Sequence, residues 1–178
     1  MSPSSGSVPE IVWFFRGEQT DHCGRSLSEI LGRGYDWLEF THDYIQWLFP
    51  LTEGSAFNSN APILTPAAIA EFHADAVLRE KLLQAFRVML DFYGLTLETT
   101  NDGRPRVTKG LNFEMRKRNW LTPANHNYLR ITRILKSLCL LGFREQARSF
   151  LECLLEIYED HYRLISADTL PYWRNAVR

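Results

Sequence analysis

Within NHNYLRITRILKS, residues 125–137, His126, Arg130, Arg133 and Ser137 recur at intervals of three or four. On a helix that spacing stacks side chains on one face. Two guanidiniums beside an imidazole would form a receptor for a phosphate, a carboxylate or an acidic peptide, because arginine offers a planar fork of donors matching those anions. The same face lies opposite the helix's apolar stripe, with Lys136 on its flank. The competing reading is therefore a solvated surface, or arginines paired with acids of the next helix such as Glu152, Glu156, Glu159 and Asp160. A second stretch, HDYIQWLFPL at 42–51, gathers the rings of Tyr44, Trp47 and Phe49 around Ile45 and Leu48. Such rings either line a ligand groove or fill a core. The apolar density and the stop at Pro50 favour a core wedge, leaving His42 and Gln46 as its members that would touch a ligand. The candidate ligand-binding residues are therefore His42, Gln46, Trp47, His126, Arg130 and Arg133.

Other chemistries find less support. Glu39-Phe40-Thr41-His42 has the E-x-x-H spacing of a metal-binding helix face, but a carboxylate-bridged site needs a second such motif, and the sequence holds none. No metal and no cofactor are expected. No G-x-S-x-G, activated cysteine or glycine-rich phosphate loop is present, and Asn101-Asp102-Gly103 lacks the further acids of a calcium loop. The expectation is a non-catalytic protein.

Charge is unevenly spread. Residues 104–136 carry nine Lys/Arg against Glu114 alone, a local charge of +8 that leaves −9 for the remainder of a chain whose net charge is −1. This supports an alternative function, association with nucleic acid or another polyanion through residues 104–136. A helix-turn-helix over 112–141 is disfavoured because WLTPANHN is long and irregular for its tight turn.

The elements that must carry these residues read as helices. Ser26-Leu27-Ser28-Glu29 is a capping box, and Thr41, His42 or Asp43 offers an N-cap for the turn 44–49. Thr65-Pro66 reads as N-cap and N1 proline, and Asp75 caps a helix over 76–93 that Gly94 ends. Thr122-Pro123 repeats the cap-and-proline device and predicts a helix to Leu141, followed by one over about 144–162. Residues 9–16 could be helix or strand. A hairpin over 95–110 lacks the length to stand alone. The fold class expected is all-α: a single irregular helical domain over 9–178 of about six to eight helices, with an aromatic-rich core.

At 178 residues the chain suits one domain, and its five tryptophans within 13% aromatics supply large rings for that core. Residues 1–8 read as a disordered leader without the basic start and apolar run of a secretory signal. No apolar run is long enough to span a bilayer. Three cysteines without a C-x-x-C spacing argue against a disulfide framework and for a reducing, cytoplasmic location, with Cys139 and Cys153 in the core.

HDYIQWLFPL at 42–51, the AP-x-LT segment Ala61–Thr65, AFRVMLDFYG at 85–94 and NW…HNYLRITRILKSL at 119–138 together resemble the conserved N-terminal domain of the opioid growth factor receptor family. The resemblance runs from about Trp13 to Phe150 and suggests a short, stand-alone, microbial member. It implies a receptor-like binding domain for a peptide or a small anionic or aromatic ligand. Animal receptors of this family take an enkephalin-type growth factor and are associated with the nucleus and its envelope. No catalytic residues come with the motif.

Overall fold

A computed structural model describes residues 8–178. Ten helices and one two-stranded sheet occur among them: α1 (Glu10–Arg16), α2 (Leu27–Leu31), α3 (Tyr35–Phe40), α4 (Ile45–Leu48), α5 (Pro66–Ala74), α6 (Ala76–Tyr93), β1 (Leu95–Thr99), β2 (Pro105–Lys109), α7 (Phe113–Trp120), α8 (Asn127–Leu140), α9 (Arg144–His161) and α10 (Thr169–Ala176). The helical class holds, but the helices are more numerous than expected and the hairpin is real. Residues 1–7 of the expected leader lie outside the described residues. Val8 packs on the core, and its carbonyl accepts a bond from Trp13 Nε1 at 3.1 Å.

Several local devices start and stop these helices as the sequence predicts. Ser26 and Glu29 form the reciprocal capping box of α2. Thr65 Oγ1 accepts from the Ala68 N–H at the start of α5, with proline in its first turn. Asp75 takes the Val77 and Leu78 N–H groups of α6, whose far end turns out through Gly94 at φ 80°. Two devices differ. At α4 the N-cap position belongs to Tyr44, with no side-chain cap, so Thr41, His42 and Asp43 do not serve. At Thr122-Pro123 the chain turns through Ala124 at φ 54°, and α8 begins only at Asn127. Asn125 intervenes there: its Nδ2 donates to Thr122 Oγ1 and to the Asn119 carbonyl, while its Oδ1 accepts from the Asn127 N–H. A turn built on an Asx side chain has displaced the proline-started helix.

The hairpin survives because it is not isolated. β1 and β2 pair antiparallel, from Leu95 opposite Lys109 to Thr99 opposite Pro105, around a turn at Gly103. Leu95 and Val107 are buried, and the Val107 N–H donates to Ser149 Oγ on α9 at 2.8 Å. Packing on α6 and α9 supplies what two strands lack in water.

One continuous apolar core links α1, α4, α6, α8 and α9, with Trp47, Trp120, Trp173, Phe14, Phe86 and Phe150 among its fully buried rings. The C-terminal α10 docks on α8, where Trp173 Nε1 donates to the Tyr128 carbonyl at 3.2 Å. No helix of the structure is long and apolar enough to cross a membrane. The cysteines are free: Cys153 is buried, Cys139 half-buried and Cys23 exposed.

Candidate functional site

The polar face of α8 is not a solvated surface. Arg130 is only 6% exposed. Its guanidinium lies over the C-terminal end of α3, with Nη1 donating to the Leu38 carbonyl at 2.8 Å and Nη2 to those of Thr41 at 2.8 Å and Glu39 at 3.4 Å. Those carbonyls are orphans of a helix end, so a cation with several N–H groups is a suitable cap. Arg133 Nη1 donates to the Phe49 carbonyl at 3.1 Å, and buried Ser137 donates to that of Pro50 at 2.9 Å. One helix face thus pins the whole stretch from Leu38 to Pro50 to α8. The alternative pairing of these arginines with acids of α9 is not found among the described residues, and the face does not point away from the protein interior.

The same architecture leaves a groove of about 530 Å³ beside the pinned segment. Its floor is Leu129, Arg130, Arg133 and Lys136 of α8; one wall is His42, Ile45 and Gln46; the other is the loop Glu53–Phe57, with His126 at one end. That loop is held in place rather than loose: the Leu64 N–H donates to the Leu51 carbonyl, and buried Asn58 donates through Nδ2 to the Asp43 carbonyl. Phe57 and Leu129 are 83% and 61% exposed, so the groove presents apolar surface to a ligand.

Five of the six sequence-derived candidates, His42, Gln46, His126, Arg130 and Arg133, line this groove together. Trp47 does not. It is 1% exposed, packs edge-on against Phe14 and donates its indole N–H to His22 Nδ1 at 3.1 Å. Tyr44 is equally buried, with its hydroxyl donating to the Leu38 carbonyl, and burial pushes its phenol well up. The Tyr44, Trp47 and Phe49 rings of HDYIQWLFPL are core; His42 and Gln46 face the groove, and Asp43 pairs with Arg25. Sequence reasoning missed the loop wall of Glu53 and Phe57 and the floor residue Leu129. Leu129 carried one signal: it is an apolar residue outside the stripe of its own helix.

The groove's cations are not equivalent. Arg130 spends both terminal nitrogens on backbone carbonyls, the Asn127 amide oxygen and His42 Nδ1. Lys136 Nζ pairs with Glu53 at 3.0 Å. Among the described residues Arg133 has no carboxylate partner within salt-bridge distance and one hydrogen bond only. Burial pulls its guanidinium down from its ordinary value, with Glu53 acting weakly in the opposite sense. A partly dehydrated guanidinium with spare donors is well suited to an anionic group. Gln46 adds an acceptor: its Nε2 donates to the His42 carbonyl, and its buried Oε1 has no partner among the described residues.

The groove mouth holds a titratable group. His126 Nε2 lies 3.1 Å from Glu39, its ring meets that of His42 edge-on at 5.2 Å, and Arg130 lies behind both. Burial lowers the His126 pKa; Arg130 and His42 lower it further, and Glu39 opposes them. A histidine with a depressed folded pKa contributes stability that is present above its unfolded value, near 6.5, and is lost as pH falls through the folded value. The protein is therefore expected to lose stability as pH falls below about 6.5. In the His126→Gln variant, urea midpoints should depend less on pH over that window. Parallel profiles for the two proteins would remove His126 as the cause.

The basic segment 104–136 is dispersed by the fold. Arg104, Lys109, Lys117 and Lys136 pair with Asp102, Asp160, Glu114 and Glu53. Arg116 is buried, donating to the Phe92 carbonyl and lying 3.9 Å from the Tyr35 ring centre. With Arg130 and Arg133 turned to carbonyls, only Arg106 and Arg118 have neither kind of partner among the described residues.

Near α2, Asp21, His22 and Cys23 place potential metal ligands close together. Their local bonds oppose coordination. Both Asp21 oxygens are engaged, by the Cys23 and Arg25 N–H groups and by the Arg25 side chain. His22 Nδ1 accepts from Trp47, which leaves the proton on Nε2, facing Asp43. The E-x-x-H pair is likewise spent: Glu39 binds His126 and Asn127, and His42 Nδ1 faces Arg130.

Comparison with known proteins gives a match over residues 22–178 to the opioid growth factor receptor conserved region. The chain is 42% identical over 179 residues to the human opioid growth factor receptor, covering 98% of this chain and 26% of that protein. The mouse receptor is 42% identical over 146 residues, 81% of this chain and 22% of the relative. Opioid growth factor receptor-like protein 1 of Xenopus tropicalis is 37% identical over 151 residues, 83% and 27% respectively. The chain thus spans about a quarter of the length of the curated relatives it matches. These relatives are vertebrate proteins, so the expectation of a microbial member has no support. The matched region begins after α1 and reaches the end of α10, further than Phe150. No solved structure matches.

Proposed function

The chain belongs to the opioid growth factor receptor family, and on that premise we propose that this domain is a non-catalytic, receptor-like binding module whose α8 groove takes a short peptide or another small anionic ligand with an apolar group. The observation that carries this reading is Arg133: a guanidinium without a carboxylate partner, partly buried, at the floor of a groove with exposed Phe57 and Leu129. A ligand carboxylate would take the spare Arg133 donors, and an aromatic or aliphatic side chain would cover Phe57 and Leu129. The relatives are named as receptors for an opioid growth factor, which agrees with a peptide-sized ligand. The role we assign to the groove is binding without turnover. Three free thiols suit a reducing, cytoplasmic setting.

The test is binding of a fluorescein-labelled aromatic pentapeptide with a free C-terminal carboxylate, compared with its C-terminal amide. Arg133→Met retains the aliphatic stem and removes the donors. A charge-assisted bond of about 1.5–3 kcal/mol corresponds to roughly a tenfold to hundredfold loss of affinity. The amide should lose a similar factor on the native protein and little more on the variant. Equal binding of both peptides to both proteins would refute the assignment.

A further inference from the structure

A second cleft of about 250 Å³ adjoins the groove. The two share Leu51, Glu53 and Lys136 as lining residues. Between them stands a single bar, the Glu53–Lys136 ion pair at 3.0 Å, whose side chains are 56% and 46% exposed. A pair this open to solvent contributes little and exchanges partners readily. Beyond the bar the cleft is bounded by Cys139 and Leu140 of α8, Arg144 at the start of α9, and Ala176 and Arg178 at the end of α10.

We propose that groove and cleft are two halves of one channel for an extended acidic peptide segment, with Glu53–Lys136 as a displaceable bar between them. The proposal rests on the binding role assigned to the α8 groove and adds a second anchoring point. Two observations support it. The first is charge: the side chains of Arg133, Lys136, Arg144 and Arg178 line the combined channel, and Glu53 supplies its one carboxylate side chain. Arg144 uses one N–H on the Val177 carbonyl and, among the described residues, has no carboxylate within salt-bridge distance, so it has donors to spare. The second is length. The channel follows α8 along its 14 residues, roughly 20 Å at 1.5 Å per residue, which suits about six extended residues. From Arg133 to Leu140 the helix rises about 10 Å, or roughly three extended residues. The occupant is then a segment with an apolar residue over Phe57 and Leu129, an acid at Arg133 and a second acid about three positions further on, at Arg144. That second acid would release Lys136 from Glu53 as the segment crosses the bar.

The probes are two fluorescein-labelled peptides, made in both chain directions. The short one carries phenylalanine next to one aspartate; the long one adds two alanines and a second aspartate. The long peptide should bind the native protein at least about tenfold more tightly, an advantage that Arg144→Gln removes while leaving the short peptide's affinity unchanged. Arg133→Met should weaken both. Because Arg144 also touches α10, the native protein supplies an independent readout: the long peptide, not the short one, should slow alkylation of Cys139 by iodoacetamide, followed by peptide mass spectrometry. Equal affinities for the two lengths, with Arg133 still required, overturn the channel and leave the groove standing. An unprotected Cys139 under saturating long peptide overturns it as well. Failure of both peptides to bind overturns the channel together with the groove.

Discussion

Replacing Arg130 with methionine is expected to cost about 3–5 kcal/mol of folding stability, a large share of the roughly 5–15 kcal/mol that a domain of this kind has. Methionine keeps most of the stem's volume, so packing is a minor part of the loss. What disappears is the donor fork over the Leu38, Glu39 and Thr41 carbonyls. Each buried carbonyl left without a donor costs on the order of 1–3 kcal/mol. Tyr44 would still donate to Leu38, which moderates the effect there. Arg130→Lys should rescue little, since one ammonium on a flexible stem cannot span three carbonyls at once. Urea unfolding reads the result as a lower midpoint at unchanged slope. A methionine variant within about 1 kcal/mol of the native protein would mean that Arg130 is held for a ligand and not for the fold.

That expectation also shows where sequence reasoning stops. Local devices could be read directly, because the atoms that define them lie within a few residues: Ser26 with Glu29, Thr65 with Ala68, Asp75 with Val77, and the positive φ of Gly94. Gly94 is required twice over, since a Cβ there would stand 2.6 Å from Phe113 Cα. The destination of an arginine cannot be read that way. The periodicity of NHNYLRITRILKS puts His126, Arg130 and Arg133 on one face, but the carbonyls that Arg130 and Arg133 meet lie more than eighty residues earlier. Backbone carbonyls carry no side-chain signature, so a face that binds backbone looks in sequence like one that binds solvent or an anion. Two of the four stretches that carry the family resemblance, 42–51 and 119–138, are for this reason one structural unit. The groove is a consequence of the unit: pinning Leu38–Pro50 to α8 leaves the space that the loop after Leu51 then walls. The failure at Thr122-Pro123 has a local origin of another kind, an asparagine three residues after the threonine that outcompetes the helix for the same groups.

The second large effect concerns Trp47, where stability and binding should separate. Trp47→Ala is expected to cost about 3–5 kcal/mol, through the cavity left beside Phe14 and the transfer energy of a fully buried indole. His22 Nδ1 would lose its donor as well. Trp47→Phe retains most of the ring contacts and loses the indole N–H and part of the volume, so it should fold with a smaller loss, about 1–2 kcal/mol. Affinity in that variant is the decisive measurement. A core ring leaves the groove's lining intact, so the aromatic pentapeptide should bind Trp47→Phe within about twofold of the native protein, while Arg133→Met, which takes the donor from the Phe49 carbonyl, should cost about 1–3 kcal/mol of stability and show the reciprocal loss of binding. A stable Trp47→Phe protein that loses the peptide would place the indole in the site. The reciprocal pattern follows from the geometry of one short helix: α4 turns Trp47 inward to the core and Gln46 towards the groove, so adjacent residues serve the fold and the site separately.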